Sequence, residues 1–183
     1  MLKNINTQEY WNDIYTYEKE NPWRINLVGF SKISAVIGSG KTVLDVGCGK
    51  GILLDKLKAN GNETFGLDIS DVVIDYINQR GHKGIAQDVK VDYLGKFDYI
   101  ILSHILEHLD NDKEVVNKFS KMGKLIGVVP FNCISSEEEM THTRVYTKES
   151  LRELLGECFI EEFQEHLTNG QTGFKALFFK TEK

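Results

Sequence analysis

The segment Val43-Leu44-Asp45-Val46-Gly47-Cys48-Gly49-Lys50-Gly51 constrains this chain more than any other. Branched apolar residues run up to an acid, glycines recur at alternate positions, and Ile52, Leu53, Leu54 and Leu57 then take up helical spacing. The pattern is strand, tight turn, helix. Glycines in such a turn let the backbone take φ > 0 and approach a ligand closely. In open α/β sheets, ligands bind beyond the carboxyl ends of the strands, where strand order reverses. Asp68 ends the second strand, seventeen residues past Gly51, and can accept hydrogen bonds from two ribose hydroxyls. Asp88 ends the third, where it can face an adenine amino group. Together these points describe a nucleoside-shaped site.

The nucleoside is not a dinucleotide, because Ile52 stands where the fingerprint's third glycine belongs. Asp45 would repel a pyrophosphate but attract a ligand's ammonium group. A P-loop is also excluded: Gly49-Lys50-Gly51 lacks the four-residue gap and the following Lys-Ser/Thr.

Around this turn the chain alternates short apolar runs with amphipathic stretches. Strands are expected at 42–46, 63–68, 84–88, 97–102 and 124–129, with a closing antiparallel pair at 159–165 and 174–181 joined through Asn169-Gly170. Ser70 is positioned to cap a helix carrying Val72, Val73, Ile74 and Ile77, and Thr147 one carrying Leu151, Leu154 and Leu155. A helical start is expected at 104–109, followed by an amphipathic stretch with Val115, Val116 and Phe119. Strand–helix alternation with nearly continuous apolar strands means a doubly wound, mostly parallel α/β sheet covered on both faces.

At 183 residues with 41% hydrophobic, the chain is long enough for one domain and short for two. Residues 1–183 are therefore read as a single domain: a helical lid at 1–38, rich in aromatics (Tyr10, Trp11, Tyr15, Tyr17, Trp23), on an α/β core at 39–183. No apolar run reaches the roughly 18–20 residues of a membrane helix. The first residues lack a hydrophobic signal core, and the three dispersed cysteines fit a reducing compartment, so the expectation is a cytoplasmic protein. A net charge of −5 disfavours a polyanionic partner such as nucleic acid, and favours a small-molecule acceptor. A monomer or homodimer is expected.

On these residues the chain resembles the class I S-adenosylmethionine-dependent methyltransferases, over nearly its whole length. The resemblance implies a Rossmann-like, seven-stranded sheet with an antiparallel last strand. In that family the stretch resembling Asp45, Gly47, Cys48, Gly49 and Gly51 cradles the methionine end of the cofactor. The position of Asp68, followed by Ile69, binds the ribose, and that of Asp88-Val89 brackets the adenine. The block ending Ser103-His104 passes beneath the methyl group. Segments resembling Tyr10-Trp11 and Trp23-Arg24 close over the cofactor; Phe131, Asn132 and Arg144 are candidates for the acceptor pocket. S-adenosylmethionine is the implied cofactor and S-adenosylhomocysteine its product.

Methyl transfer from a sulfonium is an in-line displacement already activated by the cofactor. The protein must align the nucleophile and, where that is weak, remove a proton. His104, His108 and His142 are the candidate bases. His104, Glu107 and His108 are spaced i, i+3, i+4, one face of a helix if a helix forms there. Three readings stand: the cluster merely shapes the pocket, one histidine is a base, or Glu107, His108 and His142 ligate a divalent metal. The last has a motive, because 3′-terminal 2′-O-methyltransferases of small RNAs carry a similar acid-x-x-acid-His run and a later His. The expectation for this chain is no metal, with Glu107, His108 and His142 the candidate ligands otherwise. His104-Ile105-Leu106-Glu107-His108 also spells the inverted zinc-protease motif, but it follows a parallel strand rather than lying on a long helix. A metal-assisted RNA 2′-O-methyltransferase and a non-catalytic cofactor-binding module are the alternatives to a small-molecule methyltransferase.

Overall fold

The computed structural model describes residues 5–20, 28–91, 95–132, 141–165 and 173–182. Trp23, Arg24, Cys133 and the Asn169-Gly170 turn lie outside them. In chain order the elements are α1 (Gln8–Glu20), α2 (Val28–Ile37), β1 (Thr42–Val46), α3 (Ile52–Ala59), β2 (Glu63–Asp68), α4 (Asp71–Gln79), β3 (Lys83–Ala86), β4 (Tyr99–Ser103), a 3₁₀ turn (Leu106–His108), α5 (Asp112–Phe119), β5 (Lys124–Pro130), α6 (Lys148–Leu155), β6 (Cys158–Gln164) and β7 (Lys175–Thr181).

The strands form one seven-stranded sheet in the order β3-β2-β1-β4-β5-β7-β6. β1 to β5 pair in parallel, and β7 runs antiparallel to both β5 and β6. Leu44 aligns with Phe65 of β2 and with Ile100 of β4, so the carboxyl ends of all three strands emerge at one edge. Chain order reverses between β1 and β4, and the crevice that a parallel sheet offers a ligand opens there. Close strand approach depends on one glycine in particular. A Cβ on Gly127 of β5 would lie 2.0 Å from the carbonyl oxygen of Leu102 on β4.

Side chains alternate across the sheet, as strand pleating requires. Leu44, Val46, Ile100 and Leu102 enter one core layer with Val115, Phe119 and Leu151 of α5 and α6. Val43, Ile101, Ile126 and Val128 enter the opposite layer with Ile33 and Ile37 of α2 and Leu53 and Leu57 of α3. α2 is thus part of the core rather than of a lid; among the described residues of the segment 1–38, Asn6 and α1 lie at the cleft. Its apolar positions Ile33 and Ile37, one turn apart and fully buried, explain why.

Both expected caps form. Ser70 Oγ accepts from the Val73 amide, and Thr147 Oγ1 accepts from the Ser150 amide at 3.2 Å within a reciprocal capping box. The helix expected from residue 104 does not form. His104 takes φ 54, which no right-handed helix can contain, and only a 3₁₀ turn follows before α5 begins at Asp112. β3 stops at Ala86, leaving Asp88 in the loop beyond it rather than at the strand's last residue. Among the described residues no helix is long and apolar enough to cross a membrane.

Candidate functional site

The cleft at the switch point is partly open to solvent and is lined by Asn6, Trp11, Tyr15, Gly47, Asp68, Ile69, Asp88, Val89, Lys90, His104, Ile105, His108, Leu109 and Asp110. Its floor is the turn after β1. Gly47, Gly49 and Gly51 all take positive φ, at 72°, 49° and 69°. At Gly47 space as well as dihedral forbids a side chain, since a Cβ would meet Ile105 Cδ1 at 2.8 Å. The amides of Gly47 and Cys48 donate to the Leu67 carbonyl at 2.7 and 3.1 Å, tying the turn to β2.

Asp68 is the hinge of the site. Its Oδ2 accepts from the Gly49 amide and its Oδ1 from the Ser70 amide, both at 3.0 Å, so one carboxylate fixes the glycine turn and the start of α4 together. Each oxygen retains a lone pair for a ligand hydroxyl. Burial pushes the Asp68 carboxyl up from its ordinary value, and the Ser70 and Gly49 amides partly oppose this. Asp45 lies below the turn, 3% exposed. Burial, with the nearby Asp68 charge adding to it, pushes its pKa up to about 8. Cys48 turns inward among Leu54, Val73, Ile74 and Ile77, and burial raises its thiol well above the ordinary value; it packs rather than reacts. Asp88 caps its own turn, accepting from the Lys90 amide at 2.8 Å.

α1 closes one side. Trp11 and Tyr15 face the cleft, and Tyr10 stacks edge-on against Trp11 at 5.4 Å. The helix is pinned at Asn12, whose side chain accepts from Ser70 Oγ at 2.6 Å and donates to Asp71 at 2.9 Å. Asn6 reaches the far wall, donating to the carbonyls of His108 and Thr141 at 3.0 and 2.8 Å. No spacing in the sequence singles out Asn6 or Asn12; both are found only once α1 is seen lying across the strand ends.

The fourth-strand cluster forms the opposite wall. Ser103 ends β4 buried, its Oγ without a partner among the described residues. His104, strained at φ 54, lines the cleft; its Nδ1 lies 3.4 Å from Glu107 Oε1, and its Nε2 is buried without a partner among the described residues. Strain of this kind concentrates at functional sites. Glu107 is 2% exposed. Burial pushes its carboxyl up, but the His104 hydrogen bond and the fields of His108 and His104 outweigh this and hold it below the ordinary value. His108 Nδ1 donates to the Thr141 carbonyl at 3.1 Å, and its ring packs edge-on against Trp11 at 5.4 Å and His142 at 4.9 Å. Burial lowers its pKa. His104, Glu107 and His108 therefore meet as the spacing suggested, although through a left-handed residue and a 3₁₀ turn instead of a helix face.

Three sequence candidates for the acceptor pocket lie elsewhere. Phe131 bridges to Tyr146, and the Asn132 amide donates to the Tyr146 carbonyl at 3.1 Å. Arg144 binds the buried Asp112 at 2.7 Å and donates to the Leu109 carbonyl at 2.8 Å, acting as a strut beneath the wall. None of the three lines the cleft.

A glycine turn braced by a buried acid thus lies at the switch point, with the aromatic side chains of α1 closing over it. Residues 24–158 match the methyltransferase domain family, and the chain belongs to that family. The ubiquinone biosynthesis O-methyltransferase of Shewanella halifaxensis is 32% identical over 129 residues, 63% of this chain and 51% of that protein. The chain thus spans about half the length of the curated relatives it matches. In fold it is similar to a SAM-dependent methyltransferase from Archaeoglobus fulgidus (TM-score 0.66, 19% identity, 92% of this chain and 99% of that one). It is also similar to magnesium protoporphyrin IX methyltransferase from Synechocystis with bound SAH (TM-score 0.66, 15% identity, 96% and 83%).

Proposed function

We propose that this chain binds S-adenosylmethionine in the cleft and transfers its methyl group to an oxygen of a small-molecule acceptor. The observation that carries the reading is Asp68, locked between the Gly49 and Ser70 amides directly beside the positive-φ turn. In this arrangement the bare backbone of Gly47–Gly51 receives the amino-acid end. Asp45 faces its ammonium, Asp68 takes the ribose hydroxyls, and Asp88, Ile69 and Val89 bracket the adenine. Trp11 and Tyr15 exclude water from above.

The cofactor supplies the activated methyl group. Held there, it would give up that methyl group and be left as a neutral thioether, so the chain's own task would be to orient the acceptor oxygen and to remove its proton. The acceptor's proton passes to His104, which Glu107 orients through Nδ1. Oxygen as the acceptor atom is supported by relatives named as O-methyltransferases, and a small acceptor by the net charge of −5.

Isothermal titration with S-adenosylhomocysteine tests the cofactor half: one equivalent should bind, and an absence of heat would refute it. Incubation with methyl-labelled S-adenosylmethionine and a panel of phenolic and carboxylic acceptors tests the rest. Transfer of label, lost in His104→Ala, is expected; binding with no transfer to any acceptor would leave a cofactor-binding module without catalysis.

A further inference from the structure

One group of side chains on the cleft wall is not used by the cofactor. Glu107, His108 and His142 each offer a ligand atom, and among the described residues these three atoms lie within 4.8 Å of one another. Glu107 is 2% exposed, and its Oε2 has no hydrogen-bond partner among the described residues, a costly state for a buried carboxylate oxygen and one that calls for an explanation.

The surroundings prepare these residues to bind a cation. His108 donates its Nδ1 proton to the Thr141 carbonyl, which leaves the lone pair on Nε2. Metal-bound histidines are oriented in this way by a backbone carbonyl on the other nitrogen. Residue 142 comes from a segment far along the chain, yet it is stitched to the 107–109 turn on both sides. The Thr143 amide donates to the Glu107 carbonyl at 2.7 Å, Thr143 Oγ1 to the Leu109 carbonyl at 3.0 Å, and Asn6 to the carbonyls of both His108 and Thr141. The backbone that carries the three ligands is thus held in register by hydrogen bonds.

We propose that Glu107, His108 and His142 form a binding site for a single divalent transition-metal ion, of the zinc or cobalt kind, in the wall of the cleft. Two imidazoles and one carboxylate match such ions and suit neither calcium nor magnesium, which take all-oxygen shells. Ligand atoms on one ion sit about 2.0–2.2 Å from it. The observed separations therefore close around an ion with less than about an ångström of side-chain rotation. Three protein ligands leave a coordination position for water or substrate, as catalytic rather than structural zinc sites do. Because His108 lines the cleft, that position is available to an acceptor hydroxyl, whose proton the ion makes easier to remove. This last role rests on the methyltransferase reading, whereas metal binding itself does not.

The test titrates tag-free, chelator-stripped protein with Co2+ in the absence of cofactor, following ligand-field absorption, and repeats the titration with Zn2+ in a calorimeter. One equivalent should bind to the wild type, displaying the intense absorption of a four- or five-coordinate nitrogen and oxygen site. Glu107→Gln and His142→Asn should each weaken binding by more than the roughly 10–100-fold that loss of an outer-sphere partner costs. S-adenosylhomocysteine binding to the same variants reports whether they fold and is read separately. Absence of stoichiometric binding in the wild type, or equal binding by wild type and folded variants, overturns the site. Failure of cofactor binding alone leaves the metal result standing and refutes only the methyltransferase reading.

Discussion

At the residue scale, the two buried acids under the glycine turn have separable duties. Asp68 already spends one lone pair of each oxygen on the Gly49 and Ser70 amides, so its substitution acts on both the turn and the ligand. Asp68→Ala should weaken S-adenosylhomocysteine binding by about ten- to hundredfold, the worth of losing charged hydrogen bonds of about 1.5–3 kcal/mol; titration calorimetry measures it. Asp45 gives a pH signature instead. With its pKa pushed up to about 8, it is protonated at neutral pH in the empty protein and must ionise to face an ammonium. Affinity for the cofactor should therefore climb as pH rises from about 6 towards 8, at up to roughly tenfold per unit, and level off above. The stability of the ligand-free fold should move in the opposite direction. The native state keeps a proton that the unfolded chain loses near its ordinary value of 3.8, so unfolding releases a proton and stability falls between these two pH values. Asp45→Asn should flatten both profiles, and an unchanged binding profile would exclude Asp45 as the ammonium's partner. Both acids were legible in the sequence from their places at strand ends. The strain at His104 was not, because a left-handed φ in a non-glycine residue is imposed by the packing around it.

At the element scale, α1 is the part of the site whose position the pattern of residues left open. Its aromatics marked it as a cover, yet its docking depends on Asn12, one side chain linking Ser70 and Asp71 at the start of α4. Asn12→Ala removes two hydrogen bonds each worth about 0.5–1.5 kcal/mol. Cofactor affinity should fall by about three- to thirtyfold with little change in the unfolding midpoint, because the core layers are untouched; parallel calorimetry and urea denaturation separate the two effects. The caps at Ser70 and Thr147 were readable because capping is local chemistry over three or four residues. The expected helix at 104–109 failed for the opposite reason. Its spacing was helical, but the chain leaving β4 must turn sharply, with the His104 amide still paired to the Val128 carbonyl of β5 at 2.8 Å.

At the scale of the whole molecule, the ends of the fold are joined by one buried acid. Glu165, just past β6 and fully buried, accepts from the amides of Val28 and Gly29 at the start of α2, some 137 residues away in sequence. A carboxylate at a helix N-terminus meets the unpaired amides and the positive end of the helix dipole at once. Glu165→Ala should cost about 1–3 kcal/mol by leaving those amides buried and unpaired. It should do so without altering S-adenosylhomocysteine affinity per folded molecule, as urea unfolding and calorimetry on the native fraction will show.

Residues 42–103 contain within themselves the alternation of strand and helix, the glycine turn and the acids that follow it. All of these are short-range patterns whose meaning is fixed by backbone geometry, and from them the sheet, its switch point and the glycine turn beside it follow. Tertiary structure alone decided which distant segments meet there: Asn6 reaching to His108 and Thr141, His142 brought against Glu107, and Arg144 drawn beneath the wall by Asp112. These meetings are contacts between parts of the chain separated by dozens of residues. No local propensity encodes them; they exist because packing both faces of one sheet leaves those side chains a single place to go.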